Sequence, residues 1–396
     1  MAKFKVEIKS KDMIKPLSET PNHLKTLQLT FIDQLAPPVL LSSICYYKTP
    51  LGKYNNPQTT TTLLKNSLSK TLVQFYPLAG RVVGNSSIDC NDEGVEFYEA
   101  DVLASLVEVI ANPDPEELIR LSPYAPNAPV SNNISLVTAV QEFLIMLDKL
   151  FTFDSASFLP PLDLNGIYDH ESPICKEKIV TRRLVFNKEK LDELKKKADD
   201  GHKASPLSRV AVVSAFLWIK LMKIARAKPK PPKMSSATQA VNLRTIRSSP
   251  FRENCYGNLF WTSFVHTPIE SDFTEVVGKL KGSSKKINTS LLQEIETGEC
   301  VLELQEAYNN FSEGEVYFCG FTSWTKLPLY ELDFGWGAPV WVSPTTIPFQ
   351  NAVVLLNTKC GQGIEAWVNV LEQDAAMLEQ DHEIHSLASH GMRAKL

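Results

Sequence analysis

The sequence predicts an α/β protein of two domains, and three observations support this prediction. The chain has 396 residues, whereas a typical domain needs about 100–200. Strand and helix patterns alternate from one end of the chain to the other. Residues 151–178 lack such periodicity and contain several prolines, which indicates a long crossover loop between two series of elements. We therefore place the domains at residues 1–150 and 179–396.

One long helix is the clearest element of the first domain. A run of threonines from Thr59 opens it, apolar residues recur at helical spacing from Leu63 to Phe75, and Pro77 ends it. Asn91–Gly94 is predicted to be a turn between two short strands. Strands are expected at Phe4–Lys9, Ala79–Val83, Val95–Ala100 and Ile134–Val140, and further helices at Leu24–Leu35 and after Asn112.

The second domain alternates more regularly. Ser205 and Pro206 are predicted to begin a long helix over Ser208–Ala225. Gly361–Ala366 matches a dinucleotide-binding pattern, but a strand follows it, so we interpret it as a hairpin turn. The other expected strands are Ile179–Phe186, Ser235–Leu243, Leu259–His266, Ala352–Thr358 and Ile364–Val370, and the other helices are Lys188–Ala198, Phe273–Leu292 and Asp374–Ser389.

Composition and charge exclude several classes of function. The net charge is −4 and no basic cluster overturns it, so nucleic acid is not an expected partner. The seven cysteines are widely spaced without a C-x-x-C pair, which argues against a disulfide framework or a zinc ribbon. The sequence contains no apolar run of the roughly 18 residues that span a membrane, and its N-terminal segment lacks the apolar region of a signal peptide. We expect a cytoplasmic protein without a metal site; Ala394-Lys395-Leu396 gives a weaker indication of the peroxisome.

The segment Phe321–Gly337 is unusually rich in apolar and aromatic residues. Two glycines flank Trp336, which predicts a sharp backbone turn with the indole filling a slot. A single aspartate, Asp333, stands in this apolar stretch and needs a partner, most simply an arginine held as an ion pair. Arg244 and Arg247 are the candidates.

Asp333-Phe334-Gly335-Trp336-Gly337 resembles the signature of the plant BAHD acyltransferases, and the resemblance extends over nearly the whole chain. It is most similar to the alkaloid-acetylating, vinorine synthase-like branch. Other matching segments in the family's order are Leu68–Leu72, Phe75–Arg81, Cys90–Gly94, Gln239–Arg244, Tyr256–Asn258 and Asn351-Ala352.

The resemblance implies two domains of mixed β-sheet flanked by helices, with a channel between them. Acyl-CoA, by default acetyl-CoA, enters as co-substrate from one face and a small acceptor alcohol from the other, and no bound cofactor is needed. A histidine in an H-x-x-x-D motif takes the proton from the acceptor, and the aspartate of that motif pairs with an arginine, here Arg244. The resemblance further implies a monomer, a structural role for Asp333, and CoA contacts from Ser208, Asn258, Ser323 and Thr325.

The chain departs from the family in one respect. None of its seven histidines has an aspartate four positions later. In relatives the strand that corresponds to Ile134–Gln141 leads to a second strand and then to H-x-x-x-D, whereas here Gln141 runs directly into Glu142–Leu150. We therefore predict that a few dozen residues are missing together with the catalytic base. None of the remaining histidines is expected at the centre of the channel, and His170 is singled out for testing only because it lies in a loop just after this join.

Two functions follow as hypotheses. The first is an acyl-CoA-dependent O-acyltransferase of plant specialised metabolism that acetylates an alkaloid or related alcohol, in a shortened form with reduced activity. The second is a non-catalytic BAHD-like protein that binds CoA or accompanies an active enzyme. Extra coding sequence in another transcript at the Gln141/Glu142 join would favour the first, and a short form that is the sole stable product and binds a partner would favour the second.

Overall fold

The computed structural model describes residues 4–36, 39, 41–48, 56–124, 152–162, 174–198, 207–246, 255–286 and 315–390, with scattered positions between 293 and 309. The predicted strand Ile134–Val140, the join at Gln141 and Glu142, and His170 lie outside the described residues.

A seven-stranded mixed sheet built from residues 179–390 organises the larger part of the described chain. Its strands β8, β10 and β12 are parallel neighbours, so their carboxyl ends meet at one edge, which we call the carboxyl edge. The remaining neighbours in the sheet pair antiparallel. In spatial order the strands are β14 (Ser389–His390), β7 (Ile179–Phe186), β13 (Ile364–Leu371), β12 (Ala352–Asn357), β10 (Val316–Ser323), β8 (Met234–Asn242) and β9 (Phe260–Pro268).

Five helices cover one face of this sheet. They are α6 (Lys188–Ala198), α7 (Arg209–Arg226), α8 (Phe273–Lys286), α9 (Ala375–Glu379) and α10 (His382–Leu387). The long helix α7 is apolar on nearly every side, which fits its place in the middle of this layer. Its Trp218 is fully buried, and the indole N–H donates to Ser235 Oγ on β8 (2.8 Å).

Two helix predictions for this layer need correction. The N-cap of α7 is Ser208 and not Ser205, because the Ser208 hydroxyl accepts the N–H of Ala211 (3.0 Å). The predicted helix Asp374–Ser389 is broken, because the Asp381 carboxylate accepts the N–H groups of residues 383 and 384 and starts α10 as a separate helix.

The opposite face of the sheet is covered by a second apolar cluster around Trp341 and Trp367. Here β11 (Trp341–Pro344) pairs antiparallel with β3 (Ser43–Tyr46), so a strand from the first part of the chain contacts the second part. The rings of Tyr46 and Trp341 stack with their centroids 4.9 Å apart. The predicted hairpin at Gly361 is confirmed, because β12 and β13 pair antiparallel and Gly361 has φ of 71° in the turn between them.

The first 124 residues form smaller units. The two strands β1 and β6 pair antiparallel, and β5 lies between β2 and β4. These elements are β1 (Lys5–Ile14), β2 (Thr26–Gln28), α1 (Phe31–Gln34), α2 (Pro57–Gln74), β4 (Arg81–Val83), β5 (Ser87–Asp89), β6 (Val95–Leu103), α3 (Leu106–Ala111) and α4 (Pro115–Leu118). In the crossover region the described residues include the one-turn helix α5 (Ser155–Phe158). No helix within the described ranges is long and apolar enough to cross a membrane.

Two predictions for this part of the chain are wrong. Leu24–Leu35 is not one helix: it holds β2 and the short α1, because Thr30 and Asp33 form a reciprocal capping box that starts a new helix there. The strands predicted at 79–83 and 95–100 do not share a turn either. β4 turns back into β5, a strand the sequence did not predict, and β6 pairs with β1.

Candidate functional site

The carboxyl edge of the seven-stranded sheet brings the predicted site residues into one region. Ser323 ends β10, Thr325 follows it, and Arg244 follows β8. Asn258 lies just before β9, whose first residue pairs with the last residue of β8. Neighbouring strands are about 4.8 Å apart, so β12 and β8 lie within roughly 10 Å of each other. Open α/β sheets bind their ligands outside the carboxyl ends of strands, which makes this edge the candidate site.

The start of α7 completes this edge. Ser208 caps the helix there, and the next residue, Arg209, reaches the hairpin between β12 and β13. Arg209 Nη1 donates to the carbonyl oxygen of Gly361 (2.5 Å), and Nη2 donates to Oδ1 of Asn357 (3.3 Å). Asn357 Nδ2 donates to the carbonyl oxygen of Thr325 (2.6 Å). Hydrogen bonds thus link Arg209, the residue after Ser208, to the loop that carries Thr325.

Arg209 and Asn357 were not predicted as site residues. Both donate to main-chain oxygens of loops that are distant in sequence, and residue spacing in a sequence does not reveal such contacts. The available signal was positional: Arg209 directly follows the Ser208 cap, and Asn357 is the last residue of β12.

A cavity of about 150 Å³ opens at the same edge. One wall is the hairpin from Leu356 to Gly361, and the other is the segment from Trp324 to Glu331 that follows β10. Ser323 Oγ and Thr325 Oγ1 lie 2.8 Å apart beside this second wall. The apolar residues that line the cavity include Leu327, Leu329 and Leu356, and Asn357, Thr358 and Lys359 add polar groups.

The Asp333–Gly337 turn follows the second wall of this cavity. Asp333 is exposed, and its carboxylate accepts the N–H groups of Gly337 (2.8 Å) and Gly335 (2.7 Å). These backbone donors lower the pKa of Asp333. The predicted ion pair with Arg244 is wrong: among the described residues Asp333 pairs with its own turn, because two glycines with φ near 100° direct their N–H groups at the carboxylate. Arg247 lies outside the described residues.

The predicted sharp turn is present at Gly335 and Gly337, and its aromatic residues pack together. Phe334 and Trp336 stack with ring centroids 5.5 Å apart, and both contact Tyr47 edge to face. The Tyr47 hydroxyl donates to the carbonyl oxygen of Leu332 (2.8 Å). The turn therefore connects the cavity wall to the segment that follows β3.

Arg244 fixes the loop that precedes β9. Its guanidinium donates to the carbonyl oxygens of Cys255 and Gly257, each at 2.8 Å from Nη2. The next residue, Asn258, donates its backbone N–H to Oδ1 of Asp33 in α1 (3.1 Å). Asp33 also accepts from the hydroxyl and the N–H of Thr30, so its carboxylate is used in full. This loop is thereby held between the sheet and α1.

The described histidines with placed side chains offer no base at this edge. His266 lies in β9 opposite Ser236, toward the other end of the sheet, and stacks on Phe264. His382 and His385 belong to α10, and His23 lies in a short turn before β2.

Comparison with known proteins gives the following matches. The model of the Transferase family matches residues 4–141 and 154–385. Stemmadenine O-acetyltransferase of Catharanthus roseus is 33% identical over 95% of this chain and 96% of its own length. Vinorine synthase of Rauvolfia serpentina is 33% identical over 93% of this chain and 95% of its own length.

Two solved structures show the same fold. The crystal structure of vinorine synthase matches with a TM-score of 0.81 and 32% identity, covering 98% of this chain and 99% of that one. The TRI101 structure from F. sporotrichioides, complexed with coenzyme A and T-2, matches with a TM-score of 0.62 and 16% identity over 92% of this chain and 99% of that one, which is evidence of fold alone.

Proposed function

This chain belongs to the BAHD branch of the transferase family, and from that premise we propose that it is an acyl-CoA-dependent O-acyltransferase that acetylates the hydroxyl of an alkaloid or a related alcohol. The observation that carries the proposal is its similarity, over 95% of the chain, to stemmadenine O-acetyltransferase. Salutaridinol 7-O-acetyltransferase of Papaver somniferum is another relative, 29% identical over 94% of this chain.

The carboxyl edge is our proposed acyl-CoA surface. Ser208, Ser323 and Thr325 supply hydroxyl groups there, and the N-terminal end of the 18-residue helix α7 favours a negatively charged group such as a CoA phosphate. Asn258 belongs to the neighbouring loop that Arg244 fixes. In this proposal Asp333 shapes the turn beside the cavity and takes no part in the chemistry.

The reaction needs little from the protein beyond position and a base. A thioester is already activated, so a bound acceptor hydroxyl attacks its carbonyl carbon and the C–S bond breaks. The hydroxyl proton passes to a base or to solvent, and the departing CoA thiolate is protonated in turn. A general base contributes about 10²–10⁴-fold, or roughly 3–5 kcal/mol of barrier. Since the sequence contains no H-x-x-x-D, we propose that transfer is slower than in relatives by a factor of this size.

The second candidate function is that of a non-catalytic protein that binds CoA or accompanies an active enzyme. The absence of H-x-x-x-D favours it. The first candidate requires both the CoA surface and turnover, whereas the second requires no turnover and needs the CoA surface only in its CoA-binding form.

The test uses the purified full chain. Isothermal titration measures CoA binding, and mass spectrometry follows acetyl transfer from acetyl-CoA to a panel of alkaloid alcohols. We expect binding together with slow transfer. Binding without any transfer supports the second function, and a folded protein that does not bind CoA refutes the first function and the CoA-binding form of the second. Transfer at the rate of ordinary relatives would show that another base has replaced the missing one, and loss of that transfer in His170→Ala would identify it.

We propose further that residues 1–150 and 179–396 act as two domains of a cytoplasmic monomer, as the sequence predicts. Size-exclusion chromatography with light scattering tests the oligomeric state, and imaging a fluorescent fusion with and without Ala394-Lys395-Leu396 tests the location.

A further inference from the structure

Arg209 connects both walls of the cavity at the carboxyl edge. Its guanidinium contacts Gly361 and Asn357 in the hairpin wall, and Asn357 contacts Thr325 at the start of the opposite wall. The helix that carries Arg209 is buried among the core residues of the sheet, so its first turn is a fixed point relative to the two loops. The hydrogen bonds therefore tie two surface loops to a rigid element.

The hydrogen bonds from Arg209 to Asn357 and from Asn357 to Thr325 can run in one direction only. An arginine side chain can only donate hydrogen bonds, so the atom of Asn357 that faces it must be the carbonyl oxygen Oδ1. The amide nitrogen is then turned toward the carbonyl oxygen of Thr325, which can only accept. Arg209 thus determines the orientation of Asn357, and Asn357 in that orientation holds the second wall.

A lysine could not do the same. The planar guanidinium offers separate N–H groups to Gly361 and Asn357, whereas an ammonium group is a point charge on a flexible stem. The geometry therefore depends on the fork of the arginine and not on its charge alone.

We propose that Arg209 is a positioning residue that, through Asn357, fixes the separation of the two cavity walls in the geometry that binds acyl-CoA. This inference rests on the proposed function, since it assigns the acyl donor to the carboxyl edge. It goes beyond that function by naming two residues whose effect on affinity is indirect.

Two substitutions interrupt this series of hydrogen bonds at different points. Arg209→Lys keeps the charge and loses the fork. Asn357→Asp keeps an acceptor for Arg209 but cannot donate to Thr325. Arg226→Gln is the matched control, because Arg226 ends the same helix about 25 Å away and pairs with Glu270. We expect CoA to bind about tenfold more weakly to the first two variants and equally well to the control, with thermal unfolding near that of the wild type in all three.

A second measurement does not depend on CoA. In hydrogen–deuterium exchange of the free protein, Arg209→Lys is expected to speed exchange in peptides covering residues 324–331 and 357–363, while Arg226→Gln leaves both unchanged. Unchanged exchange in Arg209→Lys would overturn the positioning role whether or not CoA binds. If Arg209→Lys speeds exchange but the wild-type protein does not bind CoA, the positioning role stands. The proposed function, and with it the expected effect on affinity, is then refuted.

The salt dependence separates positioning from direct contact with a phosphate. If Arg209 acts by position, the affinity ratio between wild type and Arg209→Gln stays constant from 50 to 300 mM NaCl. If the guanidinium binds a CoA phosphate itself, that ratio shrinks as salt screens the charge, and Arg209→Lys retains most of the affinity. The latter result would overturn the inference.

Discussion

The two parts of the molecule differ in how much apolar surface they bury. On the helical face of the seven-stranded sheet, 35 described residues from 180 to 388 form one continuous core. Before residue 125 the apolar clusters of the described chain are small, and the one around Leu72 and Phe75 contains five buried residues. Of the 18 residues in α2, only Thr71 and Leu72 are buried, and both lie in its last turn. Among the described residues, the second part therefore holds the larger apolar core.

This difference bears on function. The carboxyl edge, the cavity and the Asp333–Gly337 turn all belong to the well-packed part. The departure from the family, where H-x-x-x-D is absent, falls in the first part. If the carboxyl edge binds acyl-CoA as proposed, binding is expected to depend on the second part of the chain, which is why the proposed function separates binding from turnover.

The largest expected effect tests the core of the second part. Trp218→Ala removes a fully buried indole and leaves the Ser235 hydroxyl without its donor, so we expect the free energy of unfolding to fall by about 3–5 kcal/mol. Urea unfolding followed by circular dichroism measures it. A loss below 1 kcal/mol would contradict the view that this core dominates stability.

A smaller effect of about 2 kcal/mol is expected where α10 meets α7. The buried Asp381 accepts from Lys220 (3.0 Å) and Lys223 (2.9 Å). Burial alone would raise the pKa of Asp381, but the two lysines and the N–H of Ile384 outweigh it and lower the pKa to about 2. Because this pKa is lower in the folded state, the stabilisation is complete above the unfolded value of about 4 and is lost as the pH falls toward 2.

Asp381→Asn is therefore expected to lower stability by about 2 kcal/mol at neutral pH and to flatten its dependence between pH 4 and 2. Asp101→Asn is the control from the first part, where the exposed pair with Lys9 is expected to contribute far less to stability, because solvent and salt screen an exposed ion pair. Urea midpoints over a pH series give both values. An equal loss in the two variants would remove the contrast between the parts.

The sequence allowed much of this fold to be predicted, and the errors have physical causes. Helices with a clear apolar periodicity, such as α6 and α7, lie where they were expected. Strand β10 was not predicted, because its sequence holds a glycine and does not alternate between polar and apolar residues.

The site was predicted in part for a similar reason. The family resemblance pointed to Ser208, Ser323 and Thr325, and the order of the strands places them at one edge of the sheet. An arginine was predicted as the partner of Asp333, because a sequence shows side chains but not the direction of backbone N–H groups. Its partners in the structure are two backbone N–H groups. The contacts of Arg209 with Gly361 and of Asn357 with Thr325 also end on main-chain atoms.

The smallest expected effect tests the first part directly. Leu63 and Leu72 belong to the same predicted apolar stripe of α2, yet Leu63 is 40% exposed and Leu72 is 1% exposed. Leu63→Ala should therefore cost no more than about 0.5 kcal/mol of unfolding free energy, while Leu72→Ala costs about 2–5 kcal/mol. Both are measured by urea unfolding in the same background, which makes each the control for the other. Equal costs would mean that the whole apolar stripe of α2 is covered in solution. The contrast in burial between the two parts of the molecule would then not hold for this helix. A cost for Leu63 near zero would show that the exposed turns of α2 are weakly packed. Stabilising substitutions should then be sought there, away from the proposed acyl-CoA surface.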